Sequence, residues 1–346
     1  MSVVKEKYGN LKDGREVSLF TITNNNGIKA VITDFGATLV KLFVPNKDGV
    51  VKDVVLGFEV LDQYVSNGNF IGATVGPNAN RIANSKFTID GKEYSLANND
   101  SGNNLHSDFD EGFHKRLWDA EIIDNAVAFT VKSPDMELGF PGNKELTVTY
   151  CLGDDNALSI TYDGISDKKT IFNPTNHSYF ALGGHDEDSE CFYDTVLTIN
   201  ASNYTPVVKG AIPTGEIAPV KGTPMDFTQP KRIGEEIDSD FEQLKLVNGY
   251  DHNYALDNYD GSVRKVAEAS CDGRTMEVYT DLPGMQFYSG NCCDNQPGKE
   301  GKSISSRTSF CLETQYFPDS VNQKNFVSPV IDAGERFYSV TIYKFV

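Results

Sequence analysis

Positive charge and histidine are both scarce in this 346-residue chain. Only 31 Lys and Arg stand against 49 Asp and Glu, for a formal net charge of -18, and there are five histidines and one tryptophan. A surface that acidic repels phosphate backbones and anionic membranes, so nucleic-acid and membrane partners are not expected; the same charge also serves solubility. No run approaches the ~18 apolar residues of a membrane span. The opening MSVVKEKYGN lacks the apolar segment of a secretory leader, so a cytoplasmic location is expected. The six cysteines (151, 191, 271, 292, 293 and 311) form no CxxC pair, which leaves free, mostly buried thiols as the expectation. HxH and HExxH patterns, a glycine-rich phosphate loop, a GxSxG elbow and a cysteine-nucleophile motif are all missing. No metal or other cofactor is expected.

The dominant pattern is a period of two. "KFTIDGKEYSL" alternates on both sides of Asp90-Gly91, a dipeptide suited to a type I′ hairpin turn. "ELTVTYCLGDDNALSITYDGI", "RTMEVYTDLPGMQFYSG" and the terminal "RFYSVTIYKFV" repeat the theme, with turn residues every eight to twelve positions. Helical periodicity is confined to "IGEEIDSDFEQL". Nothing resembling a flexible linker, low-complexity tract or internal repeat divides the chain. The reading is one antiparallel all-β domain over residues 1–346, a sandwich or barrel with few short helices.

Functional candidates stand out by their surroundings. His177 lies in "FNPTNHSYF", where Asn173, Thr175, Asn176 and Ser178 suit fixing an imidazole tautomer or binding hydroxyls. His106 follows an asparagine-rich loop, and His252 sits in "GYDHNY"; His114 and His185 fall in charged loop sequence. Glu313 shares one face of an alternating strand with Cys311 and Gln315, either as an acid lining a cleft or on a solvated face. Asp251 is either part-buried between aromatics or a turn aspartate. Arg81 beside Asn80 can fork hydrogen bonds to vicinal hydroxyls or make a salt bridge, and Gln286 is a neutral polar group on an apolar strand. Trp118 reads as core in preference to a stacking platform. Together these groups suit a neutral polyhydroxylated ligand such as a sugar.

The ordered motifs "FGATL", "GPNANRIANSKFTIDGKEYSLANN", "NLHSD", "LGFPG", "NPTNHSYFALGG", "IPTGE", "GYDHNY", "PGMQFYSGN" and "FCLETQYFPDSVNQ" closely resemble the aldose 1-epimerase (galactose mutarotase) family from about Gly27 onward. The resemblance implies a β-supersandwich and a cofactor-independent isomerase that interconverts anomers of D-galactose or D-glucose, acting as a monomer or weak homodimer. By matching motifs, Glu313 resembles the general base, His177 the general acid and His106 a second imidazole near the sugar ring oxygen. Asn80, Arg81, Asp251 and Gln286 resemble the hydroxyl-binding set. The family often has His-Gly-Gly where this chain has His106-Ser107-Asp108; glycine permits a positive φ that serine and aspartate resist, so the local turn and the aim of His106 can differ from the family's, and Asp108, if close, can raise the imidazole's proton affinity. A glycoside hydrolase using Asp251 and Glu313, and a non-catalytic carbohydrate-binding protein, are the competing classes.

Overall fold

The computed structural model describes residues 2–186, 189–293 and 295–346. Alternating runs pair where turn chemistry joins them. Between Lys86–Ile89 and Lys92–Ser95, Asp90 and Gly91 both hold positive φ (50° and 78°), the type I′ geometry that matches strand twist. Lys144–Leu152 pairs antiparallel with Ala157–Ser166, setting Val148 opposite Tyr162 and Tyr150 opposite Ile160. All four are buried in the main core, so each apolar side chain meets an apolar cross-strand neighbour.

The largest sheet has nine strands. Its spatial order is Asp119–Ile123, Ala126–Ser133, Lys144–Leu152, Ala157–Ser166, Arg336–Phe345, Arg274–Thr280, Arg264–Cys271, Val196–Ile199 and Lys231–Arg232, with every pair antiparallel. The C-terminal strand lies in the middle and zips the two halves together. A five-stranded sheet runs Ala218–Pro219, Asn203–Tyr204, Asp251–Ala255, Gly284–Tyr288 and Cys311–Gln315, and another five-stranded sheet spans Ser2 to Asp53. The strands flanking Pro283 do not pair with each other; one joins the nine-stranded sheet and the next the five-stranded one. Tyr254, Met285, Phe287 and Leu312 share one core cluster with Leu146, Val148 and Tyr150 of the large sheet and Phe20 and Ile32 of the N-terminal sheet. The architecture is an antiparallel β-sandwich, and no described helix is long and apolar enough to cross a membrane.

Two expectations change. The helix anticipated over "IGEEIDSDFEQL" shrinks to a 3-10 turn at Ile233–Glu235 and a helix at Glu242–Val247. Asp238, Ser239 and Asp240 between them compete for backbone hydrogen bonds and favour turns. Cys191 and Cys271 are disulfide-bonded rather than free, with Cα atoms 6.6 Å apart. Cys191 lies on the Ser189–Asp194 helix, just before a strand whose Val196 pairs with Ser270, so sheet pairing joins thiols 80 positions apart in sequence.

Gly72 holds the chain beside His177. Its N–H donates to the His177 carbonyl at 2.9 Å, φ is +72°, and a Cβ there would meet the Leu39 carbonyl oxygen at 2.1 Å. Backbone cannot yield as a side chain does. Gly72→Ala is expected to cost about 1–3 kcal/mol, read as a lower urea midpoint.

Candidate active site

Strand register assembles one wall of the site. In the five-stranded sheet, Asn253 lies opposite Gln286, and Gln286 opposite Glu313; one row over, Asp251 faces Tyr288 and Tyr288 faces Cys311. Successive side chains alternate faces, so these polar groups share one face while Tyr250, Tyr254, Phe287 and Leu312 enter the core on the other. Glu313 is the inward-facing acid, only 2% exposed. A cleft of about 260 Å³ opens over this wall, lined by Asn80, Arg81, His106, His177, Asp251, Gln286 and Glu313, with Phe70, Tyr179 and Tyr288 among its aromatic walls. All seven residues singled out in the sequence meet there.

His177 comes from a different element. The short Thr175–Asn176 strand pairs with Thr74–Val75, and the His177 N–H donates to the Ala73 carbonyl at 2.9 Å. The polar residues around it do not hold the ring. Asn176 donates from Nδ2 to the Gly72 carbonyl and the Tyr150 hydroxyl, Ser178 Oγ donates to Asn176 Oδ1, and Thr175 Oγ1 donates to the Thr314 carbonyl. They fix the backbone. The ring itself lies near-parallel to Tyr179 (centroids 4.9 Å apart) and Phe70 (6.0 Å), with Nδ1 3.6 Å from Cys311 Sγ. Its Nε2 stands 3.6 Å from Glu313 Oε1, and Glu313 Oε2 has no hydrogen-bond partner among the described residues.

His106 is oriented from behind. Its N–H donates to the Asn80 carbonyl at 3.0 Å, and its Nδ1 accepts the Asn80 N–H at 3.1 Å. A neutral ring accepting at Nδ1 carries its proton on Nε2, which makes His106 a neutral donor. His106 and Ser107 do adopt positive φ (54° and 70°), and the Asp108 N–H bonds the His106 carbonyl across a γ-turn. Serine tolerates this because its Oγ accepts the Asn78 N–H at 3.0 Å and donates to the Asn78 carbonyl at 2.9 Å. Asp108 does not raise the ring's proton affinity. Its carboxylate accepts the N–H groups of Asp110 and Glu111, and His106 is held well below the usual imidazole range by burial, then by His177, Arg81 and His114.

Arg81 is both salt-bridged and cleft-lining. Its Nε donates to Asp100 at 2.8 Å and its Nη1 lies 3.8 Å from Asp251. The Nε contact uses one of five N–H donors. Asp251 also accepts from Gln286 Nε2 at 2.7 Å. Trp118 is core, donating Nε1–H to the Phe113 carbonyl. His114, assigned to a charged loop, is in fact buried, with Nε2 3.1 Å from the Phe109 carbonyl.

The roles of base and acid call for an ionised Glu313 and a protonated His177, and burial opposes both. Burial, with Asp251 adding to it, drives the Glu313 carboxyl well above its usual range, and burial pushes His177 down to about 4. Both shifts favour the pair's shared proton on the carboxyl side. His106, His177 and Glu313 place candidate ligand atoms within 4.8 Å of one another. They do not fit a metal, because the Asn80 N–H occupies one nitrogen of His106 and leaves the other protonated, without a lone pair.

Sequence reasoning missed Phe70, Phe109, Tyr179, Tyr288 and Asp100. Tyr288 could have been found, two residues from Gln286 and therefore on its face. Phe70, in "NGNFIGA", carries no such signal.

The fold is an antiparallel sandwich whose cleft brings a buried carboxyl and imidazole into contact beside amide, guanidinium and carboxylate groups. A family model described as aldose 1-epimerase matches residues 18–344. Galactose mutarotase of Rattus norvegicus is 39% identical over 348 residues, spanning 100% of this chain and 99% of its own. The Homo sapiens protein of the same name is 40% identical (99% and 98%), and aldose 1-epimerase of Escherichia coli 39% identical (96% of each). The crystal structure of galactose 1-epimerase from Lactobacillus acidophilus superposes with a TM-score of 0.87 at 29% identity, covering 100% of this chain and 99% of that one. The chain belongs to the aldose 1-epimerase family and is an isomerase.

Ser107→Ala would leave the Asn78 N–H and carbonyl without their shared partner. The expected loss is about 1–3 kcal/mol, with weaker sugar binding as His106 loses its aim. Thermal melting and ligand titration check both, and Ser107→Gly should recover binding because glycine adopts positive φ freely.

Proposed function

We propose that the chain interconverts the α and β anomers of D-galactose or D-glucose by opening and reclosing the pyranose ring. The observation that carries this is the buried contact of 3.6 Å between Glu313 Oε1 and His177 Nε2, with Glu313 Oε2 unclaimed by any described residue. The cleft volume of about 260 Å³ suits a monosaccharide, lying below the ~300–1,000 Å³ of drug-sized ligand sites. Relatives named galactose mutarotase support galactose as a substrate.

In the closed-ring complex the pair's shared proton sits on His177, and the ionised Glu313 takes the proton of the C1 hydroxyl. The C1–O5 bond breaks with its electron pair going to O5, and His177 delivers a proton there. An aldehyde forms at C1. Rotation about C1–C2 presents the other carbonyl face; O5 attacks, its proton returns to His177, and Glu313 returns its own to the carbonyl oxygen. Ring opening thus leaves a neutral carboxyl and a neutral imidazole, the state that burial already favours. The cleft stabilises the open-chain complex through its own dryness. Hydroxyl contacts from Asn80, Arg81, Asp251 and Gln286 hold the sugar, and His106 donates from Nε2. A hydrolase would need a second free carboxylate. Asp251 is engaged by Gln286 and Arg81.

Glu313→Gln is expected to keep the fold and lose at least ~10²-fold in mutarotation, followed by polarimetry of freshly dissolved α-D-galactose. Near-normal turnover would remove Glu313 from this role. His177→Asn should lower kcat more than affinity. The pH profile carries a sign. Below about 4, His177 takes a second proton onto the pair and no base remains, so the acid limb of kcat/KM should fall near pH 4 rather than near an unperturbed imidazole's pKa of ~6.5.

A further inference from the structure

We propose that Cys311 is the positioning residue of His177: its sulfur accepts a hydrogen bond from Nδ1–H and so keeps Nε2 free to exchange protons with the substrate. This rests on the reading of His177 as the acid of an epimerase and extends it to a residue outside the cleft lining.

Three observations support it. Cys311 Sγ lies 3.6 Å from His177 Nδ1, within sulfur hydrogen-bond range, while Nε2 faces Glu313 at the same distance. Both residues come from the Cys311–Gln315 strand, two positions apart and therefore on one face, so a single strand grips the ring at both nitrogens. Cys311 is also fully buried behind the ring, without access to a ligand. The other groups around the ring are His106, Tyr179, Tyr288 and Phe70, which touch it through ring contacts, and the backbone of His177 itself, which favours a protonated ring.

The chemistry decides the direction of the bond. If the thiol donated to Nδ1, neutral His177 would carry its proton at Nε2 and could act as an acid only by becoming an imidazolate. If Nδ1 keeps its proton, Nε2 can cycle between bare and protonated while Nδ1–H···S persists throughout. Burial, with Glu313, Cys293 and Asp251 adding to it, holds the thiol well above its usual range, so the acceptor is a neutral sulfur and not a thiolate. Neutral sulfur is a weak acceptor. It orients the ring without stabilising imidazolium as a carboxylate would, and the proton remains mobile between Glu313 and His177. The same neutrality and burial separate this pair from a nucleophilic Cys–His dyad, which needs an accessible thiolate.

The test is histidine-ring ¹⁵N NMR on the full chain, with the His177 signals assigned by their loss in His177→Asn, together with steady-state mutarotation. The wild type should show His177 protonated at Nδ1. Cys311→Ala should mix the two tautomers and lower kcat by about 10–100-fold, the usual effect of removing a histidine's outer partner, with KM changed by less than about twofold. Cys311→Ser, an oxygen acceptor, should restore the Nδ1–H tautomer and most of kcat while moving the acid limb to higher pH. Should the alanine variant not fold, the ring signals of the wild type and the serine variant still decide. A wild-type ring bare at Nδ1, or an alanine variant with unchanged ring signals and kcat, overturns the assignment to Cys311. Wild-type chain without mutarotase activity would instead sink the epimerase reading, while the ring signals still judged the Cys311 contact.

Discussion

A carboxyl and an imidazole 3.6 Å apart, both nearly inaccessible to water, set the terms for the rest of this molecule. Neither can hold an isolated charge there without a large desolvation cost, so one shared proton is the condition under which both remain buried. An ion pair and a neutral pair then differ only by the position of that proton. On the proposed reading, a hydroxyl offered to Glu313 and an ether oxygen offered to His177 would shift that balance. The cleft's guanidinium and its partner carboxylates lie where solvent still reaches them. Arg81 and Asp251 are part-exposed and partner each other, with Asp100 and Gln286 completing the set, so their charges are compensated before any ligand arrives.

The geometry of the pair is inherited from sheet packing. Glu313 points into the cleft because Leu312 points into the core beside Phe287, and Gln286 lies beside Glu313 because the same register sets Phe287 against Leu312. A one-residue slip would move the catalytic face into the hydrophobic cluster, and the core opposes that slip with every buried side chain. His177 arrives from a separate two-residue strand, held by backbone bonds to Ala73 and Gly72, and the Thr175 hydroxyl ties that segment to the Thr314 carbonyl of the Glu313 strand. Carboxyl and imidazole are thus anchored to each other through the scaffold as well as across the cleft.

Much of this was legible in the chain. Period-two alternation identified the strands, Asp90-Gly91 identified its hairpin, and the motifs around residues 80, 106, 177, 251, 286 and 313 named the groups that meet in the cleft. Features that depend on a partner distant in sequence were not legible. Alternation assigns Glu313 to a face, but only the neighbouring strand says whether that face is wet. The Cys191–Cys271 bond follows from sheet order, not spacing. Ser107 looked like a liability at a positive φ, and its compensation depends on Asn78, 29 positions away. Asn176 and Ser178 looked like ligands of the ring and turned out to be ligands of the backbone, because short polar side chains reach local amides first.

Burial alone does not separate the histidines by role. Rings 106, 114, 177 and 252 are all buried, and desolvation depresses the proton affinity of each. What separates them is the group at the second nitrogen. Asn80 gives His106 a backbone N–H at Nδ1, and Asp251 gives His252 the same, so each neutral ring has its proton locked on Nε2. His114 is locked too, with Nε2 against the Phe109 carbonyl, an acceptor that requires a proton on that nitrogen. A backbone amide or carbonyl cannot reverse its role, and a ring bound to one is a fixed donor. Among these four, His177 alone has a side-chain sulfur at its second nitrogen, a group able to act as donor or acceptor. That ring also faces a carboxyl oxygen, so of these four rings it is the one placed where a proton can be traded.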